Sequence, residues 1–422
     1  MQRTKLPIGI QTFSEIREEN YLYIDKTKEA YDLIENYKYI FLSRPRRFGK
    51  SLFLDTLRNI FEGKKEYFKN LYIEDKYDFT QKYPIIEISF AGNMQTKENL
   101  EDIFAKILRN NMEDLGLTCE HNWTKGTCLA YLIRQAYKKY NQRVVVLVDE
   151  YDKPILDNIL NKEMREYAKE TLKGFYEVLK DSDQYIRFVF LTGVSKFSKV
   201  SVFSGLNNIY DISLDKKFGN ICGYTQNDIE TTFKPLLQDV DLEELKLWYN
   251  GYNFLKDKVY NPFDILLFIA NGFEYKNYWF ETGNPSFLIK LINEQNYYLP
   301  DLENISVGEE ILNSFDIENI NIEVVLYQTG YLTIKKLKQS PMGGFEYFLQ
   351  VPNKEVKLSL NTTILQEFIK NNTKINENRN KAYYSLFDAK LEDFKTSLIA
   401  LFASIPYENY TKNNINIYEG FY

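Results

Sequence analysis

The chain reads FLSRPRRFGKSL from Phe41 to Leu52, an apolar run that becomes a cationic loop and then opens an amphipathic helix. This order is typical of a phosphate-binding loop, in which backbone N–H groups ahead of a helix point at the phosphates. Gly49, Lys50 and Ser51 match the second half of the G-x-x-x-x-G-K-[ST] pattern, where the Lys reaches the β- and γ-phosphates and the hydroxyl binds Mg²⁺. The stretch therefore predicts a site for ATP and Mg²⁺.

The first half of the loop departs from that pattern. Arg44 stands where the opening glycine is expected, and Pro45 follows it. The loop must then turn without the conformational freedom of a glycine at that position. Taken alone, the Gly-Lys-Ser half also fits an ordinary helix N-terminus, so a second stretch has to decide between the two interpretations.

That second stretch is RVVVLVDEYD, from Arg143 to Asp152. Consecutive β-favouring apolar residues indicate a central parallel strand buried on both faces. Carboxylates at the end of such a strand are costly among apolar neighbours, so we expect Asp149 and Glu150 to face a crevice or a metal. We predict that Asp149 binds Mg²⁺ together with Ser51, and that Glu150 is the general base for the attacking water. A strand that simply emerges into a polar turn is the alternative, and for Asp152 we expect a structural role.

A further strand is predicted from Ile186 to Gly193, inserted between the loop strand and the acid strand. It ends in Thr192, which we predict to be a polar sensor near the γ-phosphate, with Ser195 as the alternative. A threonine before a glycine turn also occurs for purely structural reasons, and both interpretations stay open.

The remaining pattern predicts an α/β protein with a P-loop NTPase core, a parallel sheet flanked by helices, followed by a helical lid and a winged-helix-like domain. We expect helices over 97–115, 125–140 and 162–180, and strands over 83–90 and 208–214. The predicted division is a core over 1–215, a lid over 216–310, a winged-helix-like unit over 311–375, and a linker with the start of a truncated domain over 376–422. Aromatic turns within the lid are expected to be packing corners, with base stacking as the less favoured role.

Composition limits the classes of function. The 422 residues are 44% hydrophobic, so the chain is globular and long enough for two or three domains. A net charge of −6 argues against a nucleic-acid coat and leaves room only for a local basic patch. The sequence has no apolar run long enough to span a membrane and no signal-type N-terminus, so we expect a cytoplasmic protein without membrane contact.

The few cysteines and the single histidine exclude other chemistries. Cys119, Cys128 and Cys222 have no C-x-x-C spacing, and His121 is the sole histidine. A zinc cluster of the usual spacing cannot be assembled from them, and no nucleophile elbow accompanies the one imidazole. We expect the proximity of Cys119, His121 and Cys128 to be incidental.

Five motifs together resemble the bacterial AAA-ATPase-like family, which is related to the archaeal-type and STAND ATPases. They are LPIG from Leu6, YIDKT from Tyr23, RPRRFGKS from Arg44, DEYDKP from Asp149 and LTGVS from Leu191. The resemblance covers most of the chain, and it makes Arg44 a family trait. It implies that ATP is bound by Arg46, Arg47, Phe48, Gly49, Lys50, Ser51 and Leu52, with Lys50, Glu150 and Thr192 in catalysis and with Ser51 and Asp149 on the metal.

Members of that family typically continue into a nuclease domain of the PD-(D/E)xK type. This sequence stops before any Asp…Glu-x-Lys metal site appears. The resemblance therefore implies a truncated protein without nuclease activity of its own, and no nuclease residue can be assigned here.

Three hypotheses for function follow. The first is a Mg²⁺-dependent ATPase, the regulatory module of a nuclease-linked protein, in which Arg46 or Arg47 adds charge near the transferred phosphoryl group or contacts a partner. The second is a nucleotide-binding switch or scaffold with little turnover. The third adds nucleic-acid binding through basic residues over 335–340 of the winged-helix-like unit. A homo-oligomer or a protein partner is left open by all three.

Overall fold

A five-stranded parallel sheet forms the centre of the N-terminal part of the protein. The computed structural model describes residues 4–120, 123–196, 208–281, 291–292, 295, 297, 302, 305–312, 320–341, 343–368 and 372–403. The strands are β1 (Tyr39–Ser43), β2 (Ile85–Ser89), β3 (Val144–Asp149), β4 (Ile186–Gly193) and β5 (Tyr210–Asp211), in the order β2-β3-β4-β1-β5. All neighbouring pairs are parallel. The predicted α/β core is confirmed, and β4 lies between β1 and β3 as the sequence predicted.

The helices around this sheet arise from amphipathic stretches. They are α1 (Phe13–Glu18), α2 (Thr27–Asn36), α3 (Lys50–Phe61), α4 (Lys97–Leu115), α5 (Lys125–Tyr140), α6 (Lys153–Leu156), α7 (Lys162–Tyr176) and α8 (Val178–Asp181). Thr96 and Thr124 cap α4 and α5 through their side chains, which explains why the predicted bounds of both helices are confirmed. The helix predicted over 162–180 is divided between α7 and α8, and the strand predicted over 208–214 pairs with β1 only at β5.

The lid region contains more strand than the sequence indicated. Its elements are β6 (Tyr224–Thr225), α9 (Gln226–Thr231), α10 (Leu242–Tyr249), β7 (Tyr252–Asn253), β8 (Lys258–Tyr260), α11 (Pro262–Ala270) and α12 (Tyr278–Glu281). The three strands form a small antiparallel sheet in the order β6-β8-β7. Tyr249, Tyr252 and Tyr260 are buried, so these aromatic corners are packing residues as expected.

The predicted helix and hairpin of the next region are present. Its elements are β9 (Ser306–Gly308), α13 (Glu309–Leu312), α14 (Ile322–Thr329), β10 (Thr333–Gln339) and β11 (Phe345–Gln350). The strands pair antiparallel in the order β10-β11-β9. The name winged-helix-like and the four-part division of the chain stay predictions.

The chain divides into two compact units. The first comprises 1–279 and 305–353 and holds the sheet, the lid region and the hairpin. The second comprises 280–304 and 354–422, with helices α15 (Lys354–Phe368), α16 (Asn372–Phe387) and α17 (Leu391–Ala403). The linker predicted from residue 376 is wrong where α16 runs through it, because Asn372–Phe387 form a continuous helix that contacts α17. The predicted approach to a nuclease domain, from Ser404 onward, lies outside the described residues.

Cys119 and Cys128 form a disulfide across the connection between α4 and α5. The prediction that the proximity of these two cysteines is incidental is therefore wrong, and their sequence separation of 9 matches none of the cysteine patterns considered above. Cys222 is buried and free, and His121 lies outside the described residues. Among the residues that the structure describes, no helix is long and apolar enough to cross a membrane.

Reduction of this disulfide should lower the free energy of unfolding. The crosslink closes a loop with a sequence separation of 9, and a loop of that size is worth about 3 kcal/mol through the restricted unfolded chain. Urea unfolding with and without dithiothreitol measures the loss. In Cys119→Ser the reductant should have no effect, and an equal effect on that variant would contradict the assignment.

Candidate nucleotide site

The carboxyl ends of three neighbouring strands bring the predicted site residues to one rim of the sheet. In the parallel register Leu42 pairs with Thr192, and Val148 pairs with Leu191. The phosphate loop leaves β1 at this rim, and the acid pair follows β3. The carboxyl edge of an open parallel sheet is where such folds bind ligands.

The most direct contact across the rim joins Ser51 to Asp149. Ser51 Oγ donates to Asp149 Oδ2 at 2.5 Å. Ser51 is in the first turn of α3 and Asp149 ends β3, so two motifs distant in sequence share one hydrogen bond. The hydroxyl and the carboxylate predicted to bind Mg²⁺ are thus adjacent.

Gly49 sets the geometry of the loop. It is the residue before α3 and has φ of 89°, in the left-handed region that favours glycine. A Cβ placed on Gly49 would meet no other atom within 4 Å. The loop therefore presents open space directly ahead of the helix N-terminus, where an anion is favoured by the free N–H groups and the helix dipole.

Lys50 is folded back on its own loop. Its Nζ donates to the carbonyl oxygens of Arg44 and Pro45, at 2.9 Å each. The residue is 8% exposed. Burial lowers the pKa of the Lys50 ammonium, and the charge of Asp149 opposes that shift. The ammonium group is thus bonded to two backbone carbonyls of its own loop.

Arg44 explains how the loop does without its opening glycine. The residue is 1% exposed, and its guanidinium donates to the carbonyls of Ser43, Ser213 and Phe218 at 2.8, 2.8 and 3.3 Å. The same group lies 3.9 Å from the ring centroid of Phe254. Arg44 is therefore an anchor that fixes the loop to the chain after β5, and its side chain is turned to protein partners. Nothing local in the sequence indicated those partners.

The other loop residues separate into exposed and packed side chains. Arg46 and Arg47 are exposed, and the Arg47 guanidinium lies 4.6 Å from the ring centroid of Phe263. Phe48 is buried with its ring edge-on to Tyr252 and near Phe254. The Phe48 side chain therefore packs in the lid region, and only its backbone is left to serve a nucleotide. Leu52 is half-buried in the first turn of α3.

Glu150 adopts an unusual backbone conformation beside Asp149. Its φ is 52°, in the left-handed region that residues other than Gly, Asn and Asp rarely occupy, and its N–H donates to Asp149 Oδ1 at 2.9 Å. Burial raises the pKa of the Glu150 carboxyl, and the neighbouring charge of Asp149 raises it further. A raised pKa and a strained backbone are both features that concentrate at functional sites.

Thr192 lies at the end of β4, next to the acid pair. It is fully buried, and its hydroxyl has no hydrogen-bond partner within the described part of the chain. Its carbonyl accepts from the N–H of Tyr151 at 3.2 Å. A buried hydroxyl without a partner costs free energy and is an uncommon feature, so it fits a group reserved for a ligand.

Sequence reasoning missed the ties that hold the acid turn to the end of β4. Asp152 Oδ2 accepts from the N–H of Val194 and from both the N–H and the hydroxyl of Ser195. The expected structural role of Asp152 agrees with these bonds. One residue further, the N–H of Lys196 donates to Gln328 Oε1 on α14 at 3.1 Å. In the sequence, only the DEYD and LTGVS motifs mark these positions, and neither motif indicates which residues its side chains bond to.

A comparison with protein-family models agrees with these motifs. A family model described as a predicted AAA-ATPase matches residues 7–203. A protein of Azotobacter chroococcum mcd 1, described as an uncharacterized protein in the vnfD 5′ region, is 44% identical over 424 residues, covering 100% of this chain and 82% of that protein. Among solved structures, the Aeropyrum pernix ORC2 protein in its ADPNP–ADP complexes is 14% identical with a TM-score of 0.33, covering 83% of this chain and 97% of that chain. The last likeness is too slight to support a conclusion.

Arg44→Gly should destabilise the protein although it restores the opening glycine of the loop pattern. The change leaves buried carbonyls without their charged donor, which should lower the free energy of unfolding by about 3 kcal/mol. Urea unfolding measures the loss. Arg46→Gly is the matched control, since that side chain is exposed and its loss should cost about 0.5 kcal/mol or less. Equal stability of Arg44→Gly and wild type would contradict the anchor.

Proposed function

This chain belongs to the predicted AAA-ATPase family, and from that premise we propose that it binds ATP with Mg²⁺ and hydrolyses the γ-phosphate by in-line attack of water. The observation that carries the proposal is the 2.5 Å contact between Ser51 Oγ and Asp149 Oδ2. It joins the two motifs that bind phosphate and metal in this class of enzyme. The family resemblance supplies the setting, a regulatory ATPase module of a nuclease-linked protein.

The phosphate side of the site consists of the loop and Lys50. The open space ahead of Gly49 and the free N–H groups of the first turn of α3 suit the β-phosphate. Lys50 reaches the β- and γ-phosphates once it leaves the carbonyls of Arg44 and Pro45. Arg46 and Arg47 are exposed at the same loop, where either one adds positive charge near the transferred group or contacts a partner.

The oxygen donors fit Mg²⁺. Ser51 and Asp149 are hard ligands that lie side by side, and together they would hold the ion. Within the described residues no group of three or more His, Cys, Asp or Glu could hold a metal. An ion held by Ser51 and Asp149 would take its other ligands from phosphates and water. Bound there, Mg²⁺ supplies positive charge that stabilises the phosphate oxygens during transfer.

Glu150 and Thr192 act on the attacking water. The raised pKa of Glu150 makes its carboxylate a better proton acceptor than an ordinary glutamate, which suits a general base. The buried Thr192 hydroxyl has no hydrogen-bond partner within the described residues. In this proposal it donates a hydrogen bond to the water or to the γ-phosphate. Together these groups orient the water and take up its proton.

Glu150→Gln should abolish phosphate release while ATP binding persists. The amide cannot accept a proton from water, so the single-turnover rate should fall by at least about 100-fold. Binding should change by less than about threefold, because Lys50 and the loop amides are unaltered. Phosphate release and the thermal shift with ATP and Mg²⁺ measure the two properties separately. Lys50→Met is the counterpart, expected to lose binding as well. A Glu150→Gln protein that hydrolyses at the wild-type rate would contradict the assignment.

A nucleotide-binding switch is the second candidate function. The observation that favours it is the pair of hydrogen bonds that Lys50 donates to the carbonyls of Arg44 and Pro45. A nucleotide would exchange these bonds for phosphate contacts and thereby change the loop without turnover. Tight ATP binding by wild type, with no phosphate release under single-turnover conditions, would support the switch over the enzyme.

Nucleic-acid binding remains a third hypothesis for the hairpin. Lys335, Lys336 and Lys338 are exposed on β10, and exposed lysines bind phosphate backbones with strong salt dependence. Replacing all three with alanine should weaken duplex DNA binding and make it less sensitive to salt, measured by fluorescence anisotropy at two salt concentrations. Replacing Lys64, Lys65 and Lys69 instead is the control. No binding by wild type at low salt would exclude this hypothesis.

A further inference from the structure

We propose that Asp152 and Ser195 are positioning residues that fix Glu150 and Thr192 relative to each other. The inference rests on the proposed ATPase function and extends it to two residues outside the nucleotide contacts. Asp152 follows the acid pair in the chain, and Ser195 follows the end of β4 that carries Thr192. The hydrogen bonds between Asp152 and Ser195 therefore link the segment that carries the proposed base, Glu150, to the segment that carries the proposed sensor, Thr192.

The contact between the two segments is dense. Asp152 Oδ2 accepts from the N–H of Val194 at 3.0 Å, and from the N–H and the Oγ of Ser195 at 2.6 Å each. Asp152 is 1% exposed and Ser195 is 2% exposed. A buried carboxylate is costly unless donors surround it, so these three donors account for its presence here.

Gly193 shows how closely the two segments approach. A Cβ at this position would lie 2.4 Å from Asp152 Oδ1 and 2.7 Å from Tyr151 Cδ1, closer than real atoms come. The approach is therefore available only to glycine, which makes the separation of the two segments a fixed dimension of the site. Any larger residue would push the turn away from the strand.

Tyr151 adds one hydrogen bond on each side of Gly193. Its N–H donates to the carbonyl of Thr192 at 3.2 Å, and its hydroxyl donates to the carbonyl of Ser195 at 2.9 Å. The residue before it, Glu150, has φ of 52°, a conformation that costs on the order of 1 kcal/mol and persists only when neighbours enforce it. The ties made by Tyr151 and Asp152 are those neighbours.

Catalysis depends on this arrangement because the water must meet both groups at once. Glu150 accepts its proton, and Thr192 supplies the second hydrogen bond. A displacement of about 1 Å in such a geometry costs on the order of 100-fold in rate. Loss of the Asp152 ties should therefore reduce the rate of chemistry and leave the binding of ATP by the loop intact.

The test compares Asp152→Asn, Ser195→Ala and Ser195→Thr in the full chain. The Asn side chain keeps one acceptor oxygen but lacks the negative charge that strengthens these bonds, so the single-turnover rate should fall by at least about tenfold, while the KM for ATP changes by less than about twofold. Ser195→Ala removes one donor and should reduce the rate less. Ser195→Thr keeps the hydroxyl and should restore most of the rate.

Asp55→Asn is the matched control. Asp55 Oδ2 also accepts a backbone N–H, from Phe13 at 2.6 Å, but it ties α1 to α3 and does not contact the acid turn. This variant should lower the melting temperature without changing the single-turnover rate. Equal loss of rate and melting temperature in Asp55→Asn and Asp152→Asn would assign a general structural role and overturn the proposal.

The outcomes distinguish the proposed ATPase activity from the positioning role of Asp152 and Ser195. Absence of hydrolysis in wild type would overturn the ATPase proposal, and this inference with it. Hydrolysis by wild type and by folded Asp152→Asn at the same rate would overturn the positioning role alone. Should Asp152→Asn fail to fold, Ser195→Ala and Ser195→Thr decide the question, because an equal rate in those two variants would also overturn it.

Discussion

The parallel register of β1, β4 and β3 is the constraint on which the site depends. It places the ends of the three strands at one rim, with Leu42 opposite Thr192 and Val148 opposite Leu191. The three strands end at the same level. The basic loop after β1, the Thr192 hydroxyl and the carboxylates of Asp149 and Glu150 therefore lie along one rim of the sheet. The contact of Ser51 with Asp149 follows from that register.

The loop combines a fixed half and an open half. Its first residue, Arg44, is buried with protein carbonyls around its guanidinium, whereas Arg46, Arg47 and Gly49 are exposed. Burial of a cation with good acceptors is costly to disturb, and exposed residues move at little cost. Arg44 is therefore the anchored end of the loop, and the exposed residues ahead of α3 are those proposed to meet the nucleotide.

Local signals account for what the sequence predicted well. The bounds of α4 and α5 follow from amphipathic periodicity and from the side-chain caps Thr96 and Thr124. The run that forms β3 is apolar without interruption, which indicates a strand covered on both faces. Ser51 and Asp149 could be placed at one rim of the sheet because the order of strand and loop fixes where parallel strands end. Their functional roles still rest on residue chemistry.

What could not be predicted depends on partners distant in sequence. Arg44 is anchored by carbonyls of Ser213 and Phe218, and no local pattern connects those positions. The strands β6, β7 and β8 are only two or three residues long, too short for a periodic signal. The polar start of α16 carries no apolar stripe, so periodicity does not indicate this helix, which contacts α17 in the structure. One tertiary hydrogen bond has a wider consequence. The N–H of Lys196, just past the end of β4, donates to Gln328 on α14, so the rim of the sheet is directly bonded to this helix. Any shift of that strand exit either breaks this bond or pulls the helix that carries the β10–β11 hairpin.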